Sequence, residues 1–449
     1  MTEQPSPIRE LDDLLRPFHE AETARPDWRV GTEAEKFGVR TSDGSTVPFL
    51  GRDGVQEILR RLQARHGWSP YREHADGELI ALTRNGASIT LEPGAQLELS
   101  GAPLRTIHET CAEFRGHLHE LSPISESLGI TWLGLGFHPL ATRAELPWVP
   151  KLRYGVMKDY LPTRGSLARD MMKRTATVQA NFDYESEADA VKKLRTCLAL
   201  SPITTAMFAN SPFVEGERTG ECSRRARVWL DVDPDRSGLL PFAWSEDFGY
   251  RQYVEWALDA PMFMVQRGAK LVMNTGQSFR AFMADGYEGA TATYEDWVTH
   301  LNTLFPEVRL KRTLEIRGAD SQPTSTVCAL PALYKGILHD DEALEAASQL
   351  VAGLDYETAE AARPAIAQHG VRATLADRPI VEWAQALLEI ASAGLARIND
   401  LDAEGRDERL HLRPVEEMLT AGQCPADRLL EVVRDDLPLL PQLLEHARL

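Results

Sequence analysis

Four short segments of this chain alternate polar and aliphatic residues with period two, and they restrict the fold more than any other feature. Side chains at i and i+2 of a strand point to the same face, so each segment divides into two rows. In GTEAEKFG, Glu33 and Glu35 share a face opposite Ala34 and Lys36. In SITLEPGAQLELSG, Gln96 and Glu98 oppose Leu97 and Leu99, while Glu92 precedes Pro93 and Gly94 at a turn or bulge that leaves its direction open. Across 175–183, Thr177, Gln179, Asn181 and Asp183 oppose Val178, Ala180 and Phe182. In EVRLKRTLEIRGAD the polar row is Arg309, Lys311, Thr313, Glu315 and Arg317.

One wet face of an antiparallel sheet produces such alternation without any function. Residue choice separates these segments from that case. Glutamate is unfavourable in strands relative to Thr or Val, and like charges side by side on a sheet face repel. A hard divalent cation removes the repulsion, because carboxylate oxygens are the ligands Mg²⁺ prefers. Carboxylates beside Arg309, Lys311 and Arg317 fit metal-dependent nucleotide chemistry, in which cations absorb charge on a transferred phosphoryl group. A carbohydrate-active enzyme with two working carboxylates and a non-catalytic binding module with a wet sheet face remain alternatives at this point.

Helical periodicity marks 7–22, 103–128, a stretch from Ser186 toward Phe208 opened by Ser-Glu-Ala-Asp, and 248–266. Strands are expected at 30–40, 88–99, 131–137, 175–183, 269–273 and 309–317, and after Pro331 the pattern is almost purely helical. We therefore expect a catalytic α+β region over 1–336 and a helical region over 337–449 packed on the same unit. Charge divides at the same place. The chain carries 49 Lys and Arg against 67 Asp and Glu, a net charge of −18, and residues 337–449, with 22 acids, 10 arginines and no lysine, supply −12 of it.

Such acidity argues against gripping nucleic-acid phosphates, which needs a basic stripe. The opening MTEQPSPIRE has no export-signal character and no run of about 18 apolar residues occurs, so no membrane partner and a cytoplasmic location are expected. Five cysteines without CxxC spacing exclude a zinc ribbon. GxxxxGK[ST], HExxH and GxSxG are absent, and GLGFHP supplies only GxG. His117 and His119, about 200° apart around a helix, cannot share a metal. His138, before Pro139, reads as a packed loop residue.

Read in order, GTEAEKFG, LIALTRNGASITLEPGAQLELSGAPLRTIHETCAE, MMKRTATVQANFD, AMFANSPFVEGE, DFGYRQYVEWALD and FPEVRLKRTLEIRGAD resemble the plant-type glutamate-cysteine ligases, in their bacterial branch. The resemblance runs from about Arg29 to the C-terminal helices. It implies a fold similar to glutamine synthetase, with a curved, mainly antiparallel sheet lining the active site and helices behind. The implied reaction is the first step of glutathione synthesis: ATP phosphorylates the γ-carboxylate of glutamate, and the amine of cysteine attacks the γ-glutamyl phosphate. A related ligase taking another amine is the alternative.

The resemblance also assigns roles. Glu33, Glu35, Glu92, Glu98 and Glu315 look like ligands to two or more Mg²⁺ ions. Lys311, Arg317 and Arg309 would face the ATP phosphates, the first two as catalytic groups. Gln179 and Asn181 would line the glutamate pocket, and Arg174 or Arg225 would hold the α-carboxylate through a bidentate fork. Arg174 has the wrong parity for the wet face, so a bend is expected there. Between LVMNTG and YEDW the chain lacks the cysteine hairpin of the plant enzymes, and a monomer or weak homodimer is expected. Cys111 and Cys328 match the positions of a second plant disulfide; a bridge and two buried free thiols are both compatible with the sequence. SQPTST departs from the family pattern at the pocket edge.

Overall fold

The computed structural model describes residues 7–267 and 270–449. The alternating segments assemble into one antiparallel sheet of nine strands. In chain order these are β1 Val30–Arg40, β2 Ser69–Tyr71, β3 Ala81–Arg84, β4 Ala87–Leu91, β5 Leu97–Ser100, β6 Ile130–Leu133, β7 Val178–Phe182, β8 Val308–Leu310 and β9 Leu314–Ile316. Their spatial order is β8-β9-β7-β1-β5-β4-β3-β2, with β6 pairing the far end of β1. The eleven-residue β1 is the hinge of this arrangement. Its first half is flanked by β5 and β7, and its second half by β6.

Two expected strands are hairpins. Segment 88–99 splits into β4 and β5, with Thr90 opposite Glu98. Segment 309–317 splits into β8 and β9, with Arg309 opposite Glu315. Period two survives the fold-back because directly opposed residues share a face. The expected 248–266 helix ends at Asp259, and Met264–Arg267 pairs instead with Lys270–Met273; position 269 of the expected strand lies outside the described residues. The other helices form where periodicity placed them, as Leu11–His19, Ile107–Glu126 and Glu187–Met207. Ser186 caps the last by accepting from the Asp189 amide.

Helices cover the apolar back of the sheet. Ile107–Glu126 lies behind β1 and β6, and Ala329–Leu338 behind β7 and β1. All ten residues of Ala329–Leu338 are buried, as an apolar sequence such as ALPALYKGIL requires. Its one charge, Lys335, is held by Asp400 at 2.6 Å and Glu408 at 2.8 Å. The helix also meets Ile380–Ile398 at close range, since a Cβ on Gly394 would lie 1.8 Å from the Gly336 carbonyl oxygen. Any side chain there would force the two helices apart. Cys111 and Cys328 form a disulfide, Cα atoms 6.0 Å apart, tying the two backing helices together.

The glycines of GLGFHP serve backbone contact. A Cβ on Gly136 would collide with the Asp320 side chain and one on Gly134 with the Gln322 carbonyl oxygen. Asp320 is buried and accepts from the Asn210 amide, Ser211 and Ser223 at 2.7–2.8 Å, which joins this turn to the segment before Arg225.

His138 is buried, with Nδ1 accepting the amides of Leu140 and Ala141 at 3.3 and 3.0 Å. Burial, with help from Arg174, pushes its pKa down to about 3. The unfolded chain takes a proton near pH 6.5 and the folded chain does not, so the stability from neutral His138 is complete above about pH 6.5 and is lost as pH falls toward 3. Unfolding free energies measured with denaturant between about pH 6.5 and 4 should fall more steeply for the wild type than for His138→Asn. Parallel curves would contradict this assignment.

Candidate active site

The wet face of the sheet forms the floor of a cavity of about 400 Å³. Glu33 and Glu35 from β1, Glu98 from β5, Glu92 and Gln96 from the β4–β5 turn, Thr177 just before β7 and Gln179 from β7 all line it. Arg309, Lys311 and Arg317 line it from the β8–β9 hairpin, and Arg225 from the short helix Arg224–Trp229. Met157, Met172, Trp229, Phe263 and Phe305 make an apolar wall. The sheet thus presents carboxylates on one side of the floor and cations on the other, because β1 separates the hairpin β4–β5 from β7 and β9.

Each carboxylate is aimed by a donor. Asn181 Nδ2 donates to Glu33 at 3.0 Å, the Thr177 amide to Glu35 at 3.0 Å, and Tyr154 to Glu92 at 3.1 Å. Glu98 accepts from Thr90 and Ser100, both at 2.6 Å. Glu35 and Glu98 stand directly opposite across the β1–β5 ladder. Burial first, and then the charges of Glu315 and Glu98, push Glu33 up to about 7. Burial and the neighbouring Glu92 and Glu98 push Glu35 well above the ordinary carboxylate range, and burial beside Glu98 raises Glu92.

Hard oxygen donors that repel one another suit a divalent cation. Among the described residues no three of these carboxylates bring their oxygens within 4.8 Å of one another, so they form no closed protein cage. That spacing fits Mg²⁺, which keeps waters or substrate phosphates among its ligands and uses only one or two carboxylates at a time.

Glu315 sits deeper than the other four carboxylates. It is fully buried and does not line the cavity. Both of its oxygens are taken by Arg309, at 2.5 and 3.0 Å, with Arg317 at 3.3 Å and Lys311 at 3.4 Å. Burial would raise its pKa, but those three cations hold it far below the ordinary range. It lies beneath the cations as their shared counter-charge, on the same sheet face as Arg309 directly opposite on β8. Arg309 is similarly committed, since its remaining nitrogen donates to the carbonyls of Asn302 and Leu304. Lys311, a quarter exposed, and Arg317 are the cations turned to the cavity.

Arg174 lies apart from the cavity lining. It ends the helix Ala168–Arg174 rather than joining β7, and its guanidinium pairs with Glu215 at 3.0 Å and Asp170 at 3.3 Å on another face. The chain does bend at this point, but only after the side chain has been directed away. Of the two arginines weighed for one role, Arg225 reaches the cavity. It is buried and donates to the carbonyls of Arg317 and Gly318, whereas Arg224 and Arg227 of the same SRRAR run pair with Glu221. Asn181 sits beside the cavity as the donor to Glu33, and Gln179 accepts from Arg317 at 2.9 Å.

Arg153 and Tyr154 were not singled out by sequence. They open the helix Leu152–Tyr160, which reaches over the β4–β5 turn, and the single Tyr154 hydroxyl hydrogen is shared between Glu92 and the Leu91 carbonyl, 2.9 Å away. No strand parity exists there to reveal them; the clustered bases of PKLRYGVMK were the available signal.

The chain is similar to known proteins along nearly its whole length. Residues 29–442 match the model of glutamate-cysteine ligase family 2. A chloroplastic glutamate–cysteine ligase B of Oryza sativa subsp. japonica is 42% identical over 424 residues, covering 94% of this chain and 83% of that protein. The chloroplastic glutamate–cysteine ligase of Arabidopsis thaliana is also 42% identical, over 94% of this chain and 79% of its own. A solved glutamate–cysteine ligase from Francisella tularensis in complex with AMP superposes with a TM-score of 0.57 at 13% identity, covering 94% of this chain and 87% of that one, a likeness of fold. The relatives correct one expectation. Both plant proteins are named chloroplastic, so the cytoplasmic location inferred from the opening residues is withdrawn. Among the described residues no helix is long and apolar enough to cross a membrane.

Proposed function

This chain belongs to glutamate-cysteine ligase family 2, and from that premise we propose that the cavity joins the γ-carboxylate of glutamate to the amine of cysteine at the expense of ATP. The product is γ-glutamylcysteine, which opens glutathione synthesis. The observation carrying this reading is the segregation of buried carboxylates and cations on one sheet face inside a single cavity. Residues 1–336 then form the catalytic region, with 337–449 as a helical region packed on the same unit.

A carboxylate is a poor acyl donor, and its activation brings two anions together. Lys311 and Arg317 are placed to bind phosphoryl oxygens, and Glu315 and Gln179 hold those cations in position. Preorganised cations of this kind stabilise transferred charge without reorganising during the reaction. Glu33, Glu35, Glu92 and Glu98 would hold Mg²⁺, which supplies charge neutralisation at the phosphates when bound. Arg225 and Arg153 are the cations available to a substrate carboxylate, and the wall of Trp229, Phe263 and methionines excludes water from the acyl phosphate.

The test is phosphate release from ATP, Mg²⁺ and glutamate with cysteine, 2-aminobutyrate, other amino acids or no acceptor. Cysteine should give the fastest release with matching γ-glutamylcysteine. Release indifferent to cysteine would overturn the reading, and a stronger response to another amine would assign the related ligase instead.

A further inference from the structure

Cys222 and Cys424 are 202 positions apart in sequence and outside the cavity, yet the fold brings them together with Asp427, their ligating atoms all within 4.8 Å of one another. Cys222 is 2% exposed and Cys424 fully buried. The Cys424 thiol donates to Asp427 at 3.1 Å. Arg372 pairs with the other Asp427 oxygen and points a second nitrogen at the Cys222 sulfur, 3.5 Å away. Gly370 closes the site, since a Cβ there would sit 3.0 Å from the Cys424 sulfur and 3.3 Å from that of Cys222.

We propose that Cys222 and Cys424 form a peroxide-reactive dithiol, a modification site that closes to a disulfide. Two features favour this over a metal centre. Arg372 already supplies a positive charge against Asp427 and Cys222, where a cation would otherwise stand. The two sulfurs also differ in character: the hydrogen bond with Cys424, opposed by burial and aided by Arg372, holds Cys222 below the ordinary thiol range and raises Cys424. That is the asymmetry of an attacking thiol and a resolving one.

In the first step the Cys222 sulfur attacks one oxygen of hydrogen peroxide. The O–O bond breaks, leaving Cys222 as a sulfenic acid, and the released hydroxide takes up the thiol proton as water. The Cys424 sulfur then attacks the Cys222 sulfur, the S–O bond breaks, and the hydroxyl leaves as water with the Cys424 proton. Two thiols lose two electrons and two protons, and one peroxide becomes two waters.

The new bond would join the N-cap of the Pro425–Val432 helix to a segment three residues before Arg225. Cys197, fully buried beside Lys193 in the Glu187–Met207 helix, serves as an internal control.

The full chain, freed of metals by a chelator, would be treated with stoichiometric hydrogen peroxide at about pH 7, alkylated after unfolding and digested for mass spectrometry. The expected result is a Cys222–Cys424 linked peptide with Cys197 alkylated. Cys424→Ser should stop at a sulfenic acid on Cys222 that a cyclic dione traps, and Arg372→Gln should slow oxidation severalfold by removing the positive charge beside the Cys222 sulfur. Full alkylation of both cysteines after peroxide would overturn the proposal. So would one equivalent of zinc retained by the untreated wild type and lost from Cys222→Ser.

Discussion

Glu315→Gln should lower kcat on the order of 10²- to 10³-fold and destabilise the fold by about 3–5 kcal/mol. Three cations converge on this one buried carboxylate, and an amide leaves them without counter-charge. The stability effect also has a pH signature. Glu315 is held below its ordinary range in the folded chain, so its contribution is present above the unfolded carboxylate pKa and lost as pH falls through the folded value. Thermal unfolding with steady-state kinetics measures both losses. Because a misfolded variant would also be inactive, Lys311→Met provides the control. That side chain is partly exposed and makes one ion pair at 3.4 Å, so its removal should change stability by under about 1 kcal/mol while still costing on the order of 10²-fold in kcat. Wild-type kcat in a folded Lys311→Met protein would refute the role given to this cation.

Glu35→Gln should raise the melting temperature of the cation-free protein by about 1–3 °C and abolish the stabilisation that Mg²⁺ gives the wild type. Glu35 is buried opposite Glu98 and near Glu92, and removing its charge relieves a repulsion that Arg225 and the Thr177 amide offset only in part. In the wild type bound Mg²⁺ would supply the relief, by up to about 2.7 kcal/mol at a hundred times its dissociation constant. Melting curves with and without Mg²⁺ read both effects. A metal response unchanged in Glu35→Gln, and equally in Glu92→Gln, would remove these residues from the metal set. Activity should fall with the metal response, on the order of 10²-fold or more.

Period two sorted almost every sheet residue onto its observed face because the pleat, not the neighbours, sets side-chain direction in a strand. Glu33, Glu35, Glu98, Gln179 and Lys311 all reached the cavity on that basis. Where the backbone leaves the strand, the rule has no purchase. Glu92 enters the cavity from a turn, Arg174 leaves it from a helix end, and Arg153 arrives on a helix that no strand pattern announces. Charge type was readable as well, but not whether a charge is spent. Arg309 and Glu315 look like two site residues in sequence and neutralise each other in the fold.

By itself the sequence determined the sheet's two faces and the main helices, since these depend on local spacing and residue type, while the family was legible in the resemblance of its ordered segments. Tertiary structure alone decided which of those charges meet. Strand order set β9 against β7 and β8, which brought Glu315 together with Arg309, Lys311 and Arg317. Chain-distant packing did the same for Cys222 and Cys424, whose shared pocket no local pattern encodes. A buried charge takes its role from what lies within a few ångströms of it, and in a folded chain those neighbours come from remote parts of the sequence.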